Sequence, residues 1–225
     1  MIITIDGPAA SGKSTVARLL AERLGARFLD TGAMYRAVTL AAMRAGVDMS
    51  DEEKLLEILG DREFQFTAEE GKIAVRMDGV DVTEQIREPE VTASARHIAS
   101  AAKVREKLVE MQRQFASGEE QVVTEGRDQG TVAFPDADVK FYLTAETIER
   151  ARRRQAELGG KGEKNLEQIR RAIEERDKSD ESRGVGPLRP ADDAIVVDTT
   201  DLSIAGVVEK LLRCVEERCP KRNQR

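Results

Sequence analysis

The chain has 225 residues, of which 40% are hydrophobic and 35% charged, with a formal net charge of −6. This length suits one large domain or one domain with inserts, and the composition excludes a membrane span, a disulfide scaffold and a wholly disordered chain. The negative net charge disfavours a protein that binds nucleic acid over much of its surface, but it permits a local cationic pocket. Met1 leads directly into an apolar run, so we expect no targeting segment and a cytoplasmic protein in which Cys214 and Cys219 are reduced.

The first quarter of the chain alternates short apolar runs with amphipathic stretches. Gly25 and Gly46 each follow a helical pattern and are typical helix stops. The predicted elements are a strand at Ile2–Ile5, a helix at Ser14–Leu24, a strand at Phe28–Leu29, a helix at Met34–Ala45, and a helix that a Ser50–Glu53 capping box begins.

A different pattern follows between Phe64 and Val82, where apolar and polar residues alternate. Gly71 and the Asp78-Gly79 pair supply turns between the alternating runs. This pattern predicts an antiparallel meander of about three strands, with the Asp-Gly turn as its clearest local signal. Because the meander interrupts a chain of strands and helices, we interpret it as an insert.

Strands and helices alternate again in the rest of the chain, which predicts a parallel α/β sheet with helices on both faces. A Gly/Lys loop at Gly159–Lys164 separates two of the helices. The predicted elements are a helix through Val104, Leu108, Met111 and Phe115, strands at Val122–Thr124 and Val139–Leu143, helices at Thr147–Leu158 and through Leu166, Ile169 and Ile173, a strand at Ile195–Val197, and a final helix from Ile204 to Val215.

A phosphate-binding loop is the clearest functional motif. The stretch G-P-A-A-S-G-K-S at 7–14 matches G-x-x-x-x-G-K-[ST], with a predicted strand before it and a helix after it. The backbone N–H groups and the helix N-terminus would hold an anion. Lys13 would reach the β- and γ-phosphates, and the Ser14 hydroxyl would bind a weakly held Mg²⁺. The motif indicates a nucleoside triphosphate without saying what is done with it.

Three further clusters fall at the C-terminal ends of predicted strands or in the helices that follow them, where an open α/β sheet binds ligands. We expect the third of them to follow a helix. They are D-T-G-A-M-Y-R at 30–36, E-G-R-D at 125–128, and R-D-K-S-D-E-S-R at 176–183. Each contains arginine, which suits forked phosphate contacts, together with a carboxylate. The presence of Arg36, Arg127 and Arg183 beside a nucleotide loop favours a second anionic substrate over three surface ion pairs.

These motifs resemble the bacterial cytidylate kinase family. The resemblance rests on I-T-I-D-G-P-A-A-S-G-K-S-T at the start, L-D-T-G-A-M-Y-R at 29–36, E-G-R-D-Q-G-T-V-A-F-P-D-A at 125–137, and R-D-K-S-D-E-S-R followed by G-V-G-P-L. It runs from Ile2 to about Leu212. It implies transfer of the γ-phosphoryl group of ATP to CMP or dCMP with Mg²⁺, in pyrimidine metabolism, by a monomer that binds neither nucleic acid nor membrane.

The resemblance also implies a P-loop kinase fold of one domain, with a five-stranded parallel sheet, a small antiparallel insert and a helical lid. The implied parts are a CORE at about 1–60, 104–149 and 166–225, a nucleoside-monophosphate-binding insert at about 61–103, and a lid at about 150–165.

Residue roles are implied by matching position. Arg36 and Arg127 would hold the acceptor phosphate, Arg105 and Asp128 would contact cytosine, and Arg176 and Asp180 would serve the sugar. The full acceptor set is Thr31, Arg36, Arg105, Arg127, Asp128, Arg176, Asp180 and Arg183. The ATP set is Gly7, Pro8, Ala9, Ala10, Ser11, Gly12, Lys13, Ser14 and Thr15. The catalytic set is Lys13, Arg127, Arg150, Arg153 and Arg154, the last three closing over the transferring phosphates.

Two other functions remain open at this point. One is a related P-loop kinase that accepts UMP or another small acceptor. The other is a nucleotide switch that uses its arginines on RNA, for which the arginine run at 152–154 would be the contact surface. Only two Tyr and no Trp are present, so an aromatic platform for stacking single strands is not expected.

Overall fold

The computed structural model describes residues 1–69, 72–157 and 165–220. Within them, strands and helices alternate for most of the chain. The strands are β1 (Ile2–Asp6), β2 (Arg27–Asp30), β3 (Phe64–Glu69), β4 (Lys72–Met77), β5 (Val80–Asp81), β6 (Val122–Glu125), β7 (Val139–Thr144) and β8 (Ile195–Asp198). The helices are α1 (Lys13–Leu24), α2 (Thr31–Ala45), α3 (Glu52–Asp61), α4 (Pro89–Ser100), α5 (Ala102–Ser117), α6 (Thr147–Glu157), α7 (Leu166–Glu181) and α8 (Ile204–Arg218).

The strands form two sheets. A five-stranded sheet has the order β2-β6-β1-β7-β8, and β7 pairs in parallel with both β1 and β8. The strands β3, β4 and β5 form a separate antiparallel sheet. The five-stranded parallel sheet and the small antiparallel sheet expected from the sequence are therefore confirmed.

The Asp-Gly turn joins β4 to β5 as predicted. Met77 pairs with Val80, and the two residues between them have φ angles of 52° at Asp78 and 77° at Gly79. Two consecutive positive φ angles define the hairpin turn whose twist matches that of the strands. The other predicted turn, at Gly71, lies outside the described residues.

The chain divides into two compact units, one of residues 1–26 and 123–225 and the other of residues 27–122. In the first unit, β1 and β7 carry fully buried side chains such as Ile5 and Leu143, and α1 packs against α8. In the second unit, α2 packs against α3 and α4 and buries Met34 and Val38. The division into CORE, insert and lid stays a prediction.

The predicted capping box at Ser50 and Glu53 is wrong by one residue. Asp51 is the N-cap of α3, because its side chain accepts a hydrogen bond of 3.1 Å from the backbone N–H of Lys54. The hydroxyl and backbone N–H of Ser50 instead both donate to Asp48 Oδ1. Ser50 and Asp51 are adjacent and both are good N-cap residues. Because Ser50 is hydrogen-bonded to Asp48, Asp51 caps the helix.

Two other helix boundaries differ from prediction. α2 begins at Thr31, three residues before Met34, because the Asp30 carboxylate caps it by accepting from Ala33 N at 2.9 Å. α7 extends to Glu181, so most of the 176–183 cluster lies on the last turns of that helix and does not follow it. A carboxylate at a strand end therefore also starts a helix here.

Two simple findings concern the membrane and the cysteines. Within the described parts of the chain, no helix is both long and apolar enough to cross a membrane. Cys214 on α8 and Cys219 just after it are half-buried, and neither forms a disulfide.

Candidate active site

The phosphate-binding loop lies between β1 and α1 and has an unusual backbone. Gly7 has a φ of 146°, Ala10 of 57° and Gly12 of 88°, all in the region that favours glycine. Gly12 is the N-cap of α1, and no side chain caps that end. The first N–H groups of the helix therefore lack a side-chain cap, which is the arrangement that binds phosphate.

The glycine at position 7 is required by close approach to β7. A Cβ atom there would lie 2.0 Å from the carbonyl oxygen of Leu143. Gly7→Ala should therefore lower the free energy of unfolding by about 3 kcal/mol, through overlap and an unfavourable φ. For a chain of this size the melting temperature should fall by about 6–12 °C.

The matched control for this prediction is Gly60→Ala, near the end of α3. A Cβ atom there has nothing within 4 Å, so the melting temperature should stay the same or rise slightly. Thermal unfolding followed by circular dichroism measures both variants. An unchanged melting temperature in Gly7→Ala would mean that the loop does not approach β7 so closely.

Lys13 lies at the start of α1 and is only 5% exposed. Its Nζ donates to the carbonyl oxygen of Pro8 at 2.6 Å and lies 3.4 Å from Ser11 Oγ. Burial lowers the pKa of Lys13 to about 7, and the Arg127 charge acts in the same direction. A polyphosphate would supply the negative charge that this buried ammonium needs.

Ser14 and Glu125 together offer a Mg²⁺ site. Ser14 Oγ donates to Glu125 Oε1 at 2.7 Å, and Glu125 is 5% exposed. In the described ranges, no group of three or more His, Cys, Asp or Glu could hold a metal ion. A hydroxyl and one carboxylate suit Mg²⁺, which keeps most of its coordination for water and nucleotide phosphates. Sequence reasoning identified Ser14 but did not connect Glu125 with it.

Arg127, Asp180 and Arg183 form one ion cluster around the buried Asp180 carboxylate. Arg127 Nε donates to Asp180 Oδ2 at 2.9 Å, and Arg183 Nη2 donates to the other carboxylate oxygen. Burial opposes ionisation of Asp180, but the charges of the arginines outweigh it and lower the pKa of this carboxyl. Arg176 adds a further positive charge that acts on Asp180 and on Lys13. The structure thus joins residues from two motifs that are about fifty positions apart.

Asp128 is 4% exposed and stands just before a π-helical turn at Gln129–Ala133, which the sequence did not predict. Asp6, at the end of β1, holds this turn. Its two carboxylate oxygens accept from the backbone N–H groups of Gln129 at 2.9 Å and Gly130 at 2.8 Å. Burial raises the pKa of Asp6 to about 7. Sequence reasoning missed Asp6, although a carboxylate ending a buried strand was a visible signal.

The three arginines expected in the lid have three different environments. Arg150 is 6% exposed and hydrogen-bonded to Asp177, while Arg154 is exposed and pairs with Glu157 at 3.0 Å. Arg153 donates to the backbone oxygen of Thr199 at 2.6 Å, and its Nη1 is 4.0 Å from where a Cβ on Gly12 would stand. Each of the three arginines has its own acidic partner, which is Asp177 for Arg150, Glu149 for Arg153 and Glu157 for Arg154. The rest of the expected lid, at 158–164, lies outside the described residues.

The second unit carries the other acceptor candidates. Arg36 Nη2 donates to Asp30 Oδ2 at 3.1 Å, and Thr31, which is buried, starts the same helix. Arg105 is 3% exposed, donates to the carbonyl oxygen of Ala99 at 3.2 Å, and stacks its guanidinium 5.5 Å from the centre of the Tyr35 ring. Tyr35 thus makes a cation–π contact with Arg105.

Comparison with known proteins identifies the family. The family model described as cytidylate kinase matches residues 3–217. The chain belongs to the cytidylate kinase family. It is 44% identical to the cytidylate kinase of Rhodococcus jostii (97% of this chain and 96% of that one) and 48% identical to that of Pelotomaculum thermopropionicum (93% of each).

The fold also has a likeness among solved structures. A protein from Thermus thermophilus superposes with a TM-score of 0.51 at 20% identity, covering 97% of each chain. At that identity the match concerns the fold alone. The family assignment rests on the family model and the sequence relatives.

Proposed function

We propose that the protein transfers the γ-phosphoryl group of ATP to CMP or dCMP, giving ADP and CDP or dCDP. The observation that carries the proposal is that the phosphate-binding loop with its buried Lys13 belongs to the same compact unit as the Arg127–Asp180–Arg183 cluster. A cation at the loop suits the triphosphate, and the arginines suit a second phosphate. The family match over residues 3–217 supports the cytidine specificity.

ATP would be held by the loop and by the first turn of α1. The N–H groups at the start of the helix face the phosphates, and Lys13 neutralises charge on the transferring group. Ser14 Oγ and Glu125 Oε1 would hold Mg²⁺ through the hydroxyl and, directly or through water, the carboxylate. When bound, Mg²⁺ would supply positive charge that offsets the negative charge of the phosphates. The residues proposed to contact ATP are Gly7, Pro8, Ala9, Ala10, Ser11, Gly12, Lys13, Ser14 and Thr15.

The acceptor needs no strong general base, because a phosphate oxygen of CMP is already ionised and the reaction depends on positioning and charge. In the first unit, we assign Arg127 to the acceptor phosphate, Asp128 to the base, and Arg176 and Asp180 to the sugar, with Arg183 beside them. In the second unit, we also assign Thr31, Arg36 and Arg105 to the binding of CMP. Arg153 and Arg154 are assigned to the transferring phosphates. These roles rest on family resemblance and on side-chain chemistry.

The experiment that tests the function is ADP release measured with MgATP and each of AMP, CMP, dCMP, GMP and UMP. We expect CMP to support the fastest turnover, dCMP to be accepted, and purines to fail on size. Fastest turnover with UMP would make the protein a related kinase of different base preference. No acceptor-dependent ADP would contradict the kinase proposal and favour an RNA-binding nucleotide switch. A monomeric state and a cytoplasmic location stay predictions from the sequence.

A further inference from the structure

The backbone of Ala9, inside the phosphate-binding loop, is held at both ends by a buried ion pair. Asp177 Oδ1 on α7 accepts from the N–H of Ala9 at 3.1 Å. Arg150 Nη1 on α6 donates to the carbonyl oxygen of Ala9 at 3.1 Å and to Asp177 Oδ2. One peptide residue of the loop is thus hydrogen-bonded to both members of the pair.

We propose that Arg150 and Asp177 are positioning residues that fix the phosphate-binding loop at Ala9, and that Arg150 does not contact phosphate. The proposal rests on the proposed kinase function for its activity assay. It replaces the expectation that Arg150 closes over the transferring phosphates.

Arg150 has few donors left for a substrate. Besides its bonds to Ala9 and Asp177, its Nε donates to the carbonyl oxygen of Ala145 at 3.0 Å and its Nη2 to Thr147 Oγ1 at 3.1 Å. These bonds use four of the five N–H groups that a guanidinium has. Moving Arg150 to a phosphate would leave the Asp177 carboxylate, which is 7% exposed, without its counter-ion, and such an unpaired buried charge is strongly unfavourable.

The loop has a physical need for such a support. Ala9 is buried, so its N–H and C=O require partners inside the protein. The next residue, Ala10, has a φ of 57°, which is unfavourable for any residue with a Cβ. Ala10 also packs against a small apolar cluster of α6 and α7. The helices that carry Arg150 and Asp177 therefore hold the loop in its phosphate-binding conformation by packing as well as by hydrogen bonds.

Two conservative variants test the proposal. Asp177→Asn replaces one carboxylate oxygen with an amide NH₂ and removes the negative charge. Arg150→Lys keeps the positive charge but removes the guanidinium that donates to both Ala9 and Asp177. Each should raise KM for ATP and lower kcat, together reducing kcat/KM for ATP by about 10²-fold, because a shift of ~1 Å in the loop has effects of this size. KM for CMP should stay within about twofold of the parent, since the proposed CMP ligands are left in place. The double variant should be no worse than the worse single one, because both act through one contact.

The controls lie on the same helices. Arg152→Lys on α6 and Glu175→Gln on α7 make the same types of substitution, arginine to lysine and carboxylate to amide, at exposed side chains. Both should leave the KM values for ATP and CMP unchanged. If either main variant does not fold, Thr147→Val removes one acceptor of Arg150 from a partly exposed position and should raise KM for ATP by about threefold.

The outcomes separate three roles. If Asp177→Asn keeps kcat/KM for ATP within twofold while Arg150→Lys loses it, Arg150 acts without Asp177 and the proposal is overturned. If kcat and the melting temperature fall while both KM values stay constant, the pair is merely structural and the proposal is again overturned. Calorimetric titration of MgATP into the variants measures the same loss of affinity without turnover, so the test remains valid even if the parent protein fails to phosphorylate CMP.

Discussion

Replacing Lys13 with alanine should lower kcat by at least ~10²-fold, which corresponds to several kcal/mol of transition-state stabilisation. The ammonium group is buried, hydrogen-bonded to the carbonyl oxygen of Pro8, and placed at the start of α1, where we propose that the phosphates bind. In the low dielectric of this site, its charge is worth far more to the transferring group than it would be in water. Steady-state ADP release with saturating MgATP and CMP measures the change.

The same variant should remain folded. Burial lowers the pKa of Lys13, which means that the native state disfavours its charged form at neutral pH, so removing the ammonium removes an unfavourable burial. We therefore expect a melting temperature within a few degrees of the parent. Lys54→Ala, at an exposed lysine of α3, is the matched control and should leave kcat unchanged. Near-normal turnover by a folded Lys13→Ala protein would show that Lys13 does not serve the transferring phosphate.

The fold was predictable where local signals agreed. The strand predicted at Ile2–Ile5, the helix that ends before Gly25 and the turn at Asp78-Gly79 each combine a hydrophobic pattern with a turn or a terminating residue. Each forms within one residue of its predicted bounds. The start of α3 was not predictable to the residue, because both Ser50 and Asp51 are good N-caps and the choice depends on the turn at Asp48.

The candidate site was predictable where its chemistry is contiguous. The eight consecutive positions from Gly7 to Ser14 carry the loop, the lysine and the hydroxyl proposed to bind Mg²⁺. The residues that hydrogen-bond to the backbone of the site were not predictable, because they come from distant parts of the chain. Asp177 lies 168 positions from the Ala9 N–H that it binds, and Asp6 lies 123 positions from Gln129. No sequence spacing predicts hydrogen bonds between residues so far apart in the chain. They become visible only once the sheet and the helices α6 and α7 are seen in the folded structure.

Base selectivity should depend on Asp128. Cytosine presents an N4 amino donor that a carboxylate can accept, whereas uracil presents a carbonyl oxygen at that position. With Asp128 buried and its loop fixed by Asp6, the uracil carbonyl would face a carboxylate oxygen without water to separate them. A mismatch of this kind costs ~1–3 kcal/mol. Uracil also carries a hydrogen on N3, where cytosine has an acceptor, and this is a second mismatch. The two together predict that kcat/KM for CMP exceeds that for UMP by roughly 10²-fold or more.

Asp128→Asn should narrow this ratio, mostly by losing activity on CMP. The amide can rotate to donate to the uracil O4, but it then no longer offers a carboxylate to the cytosine amino group. Because asparagine has nearly the same shape, the melting temperature reports whether the buried site has remained intact. Separate kcat/KM values for CMP and UMP give the ratio directly.

Arg36→Ala separates base reading from phosphate binding. Arg36 on α2 pairs with Asp30, the last residue of β2. Its proposed contact is the acceptor phosphate, which CMP and UMP share. Its loss should lower kcat/KM for both acceptors by a similar factor, on the order of 10-fold or more, and leave their ratio close to that of the parent. If Asp128→Asn also preserved the full ratio while lowering both activities, Asp128 would act on the phosphate side with Arg36, and the base would have to be read by another group.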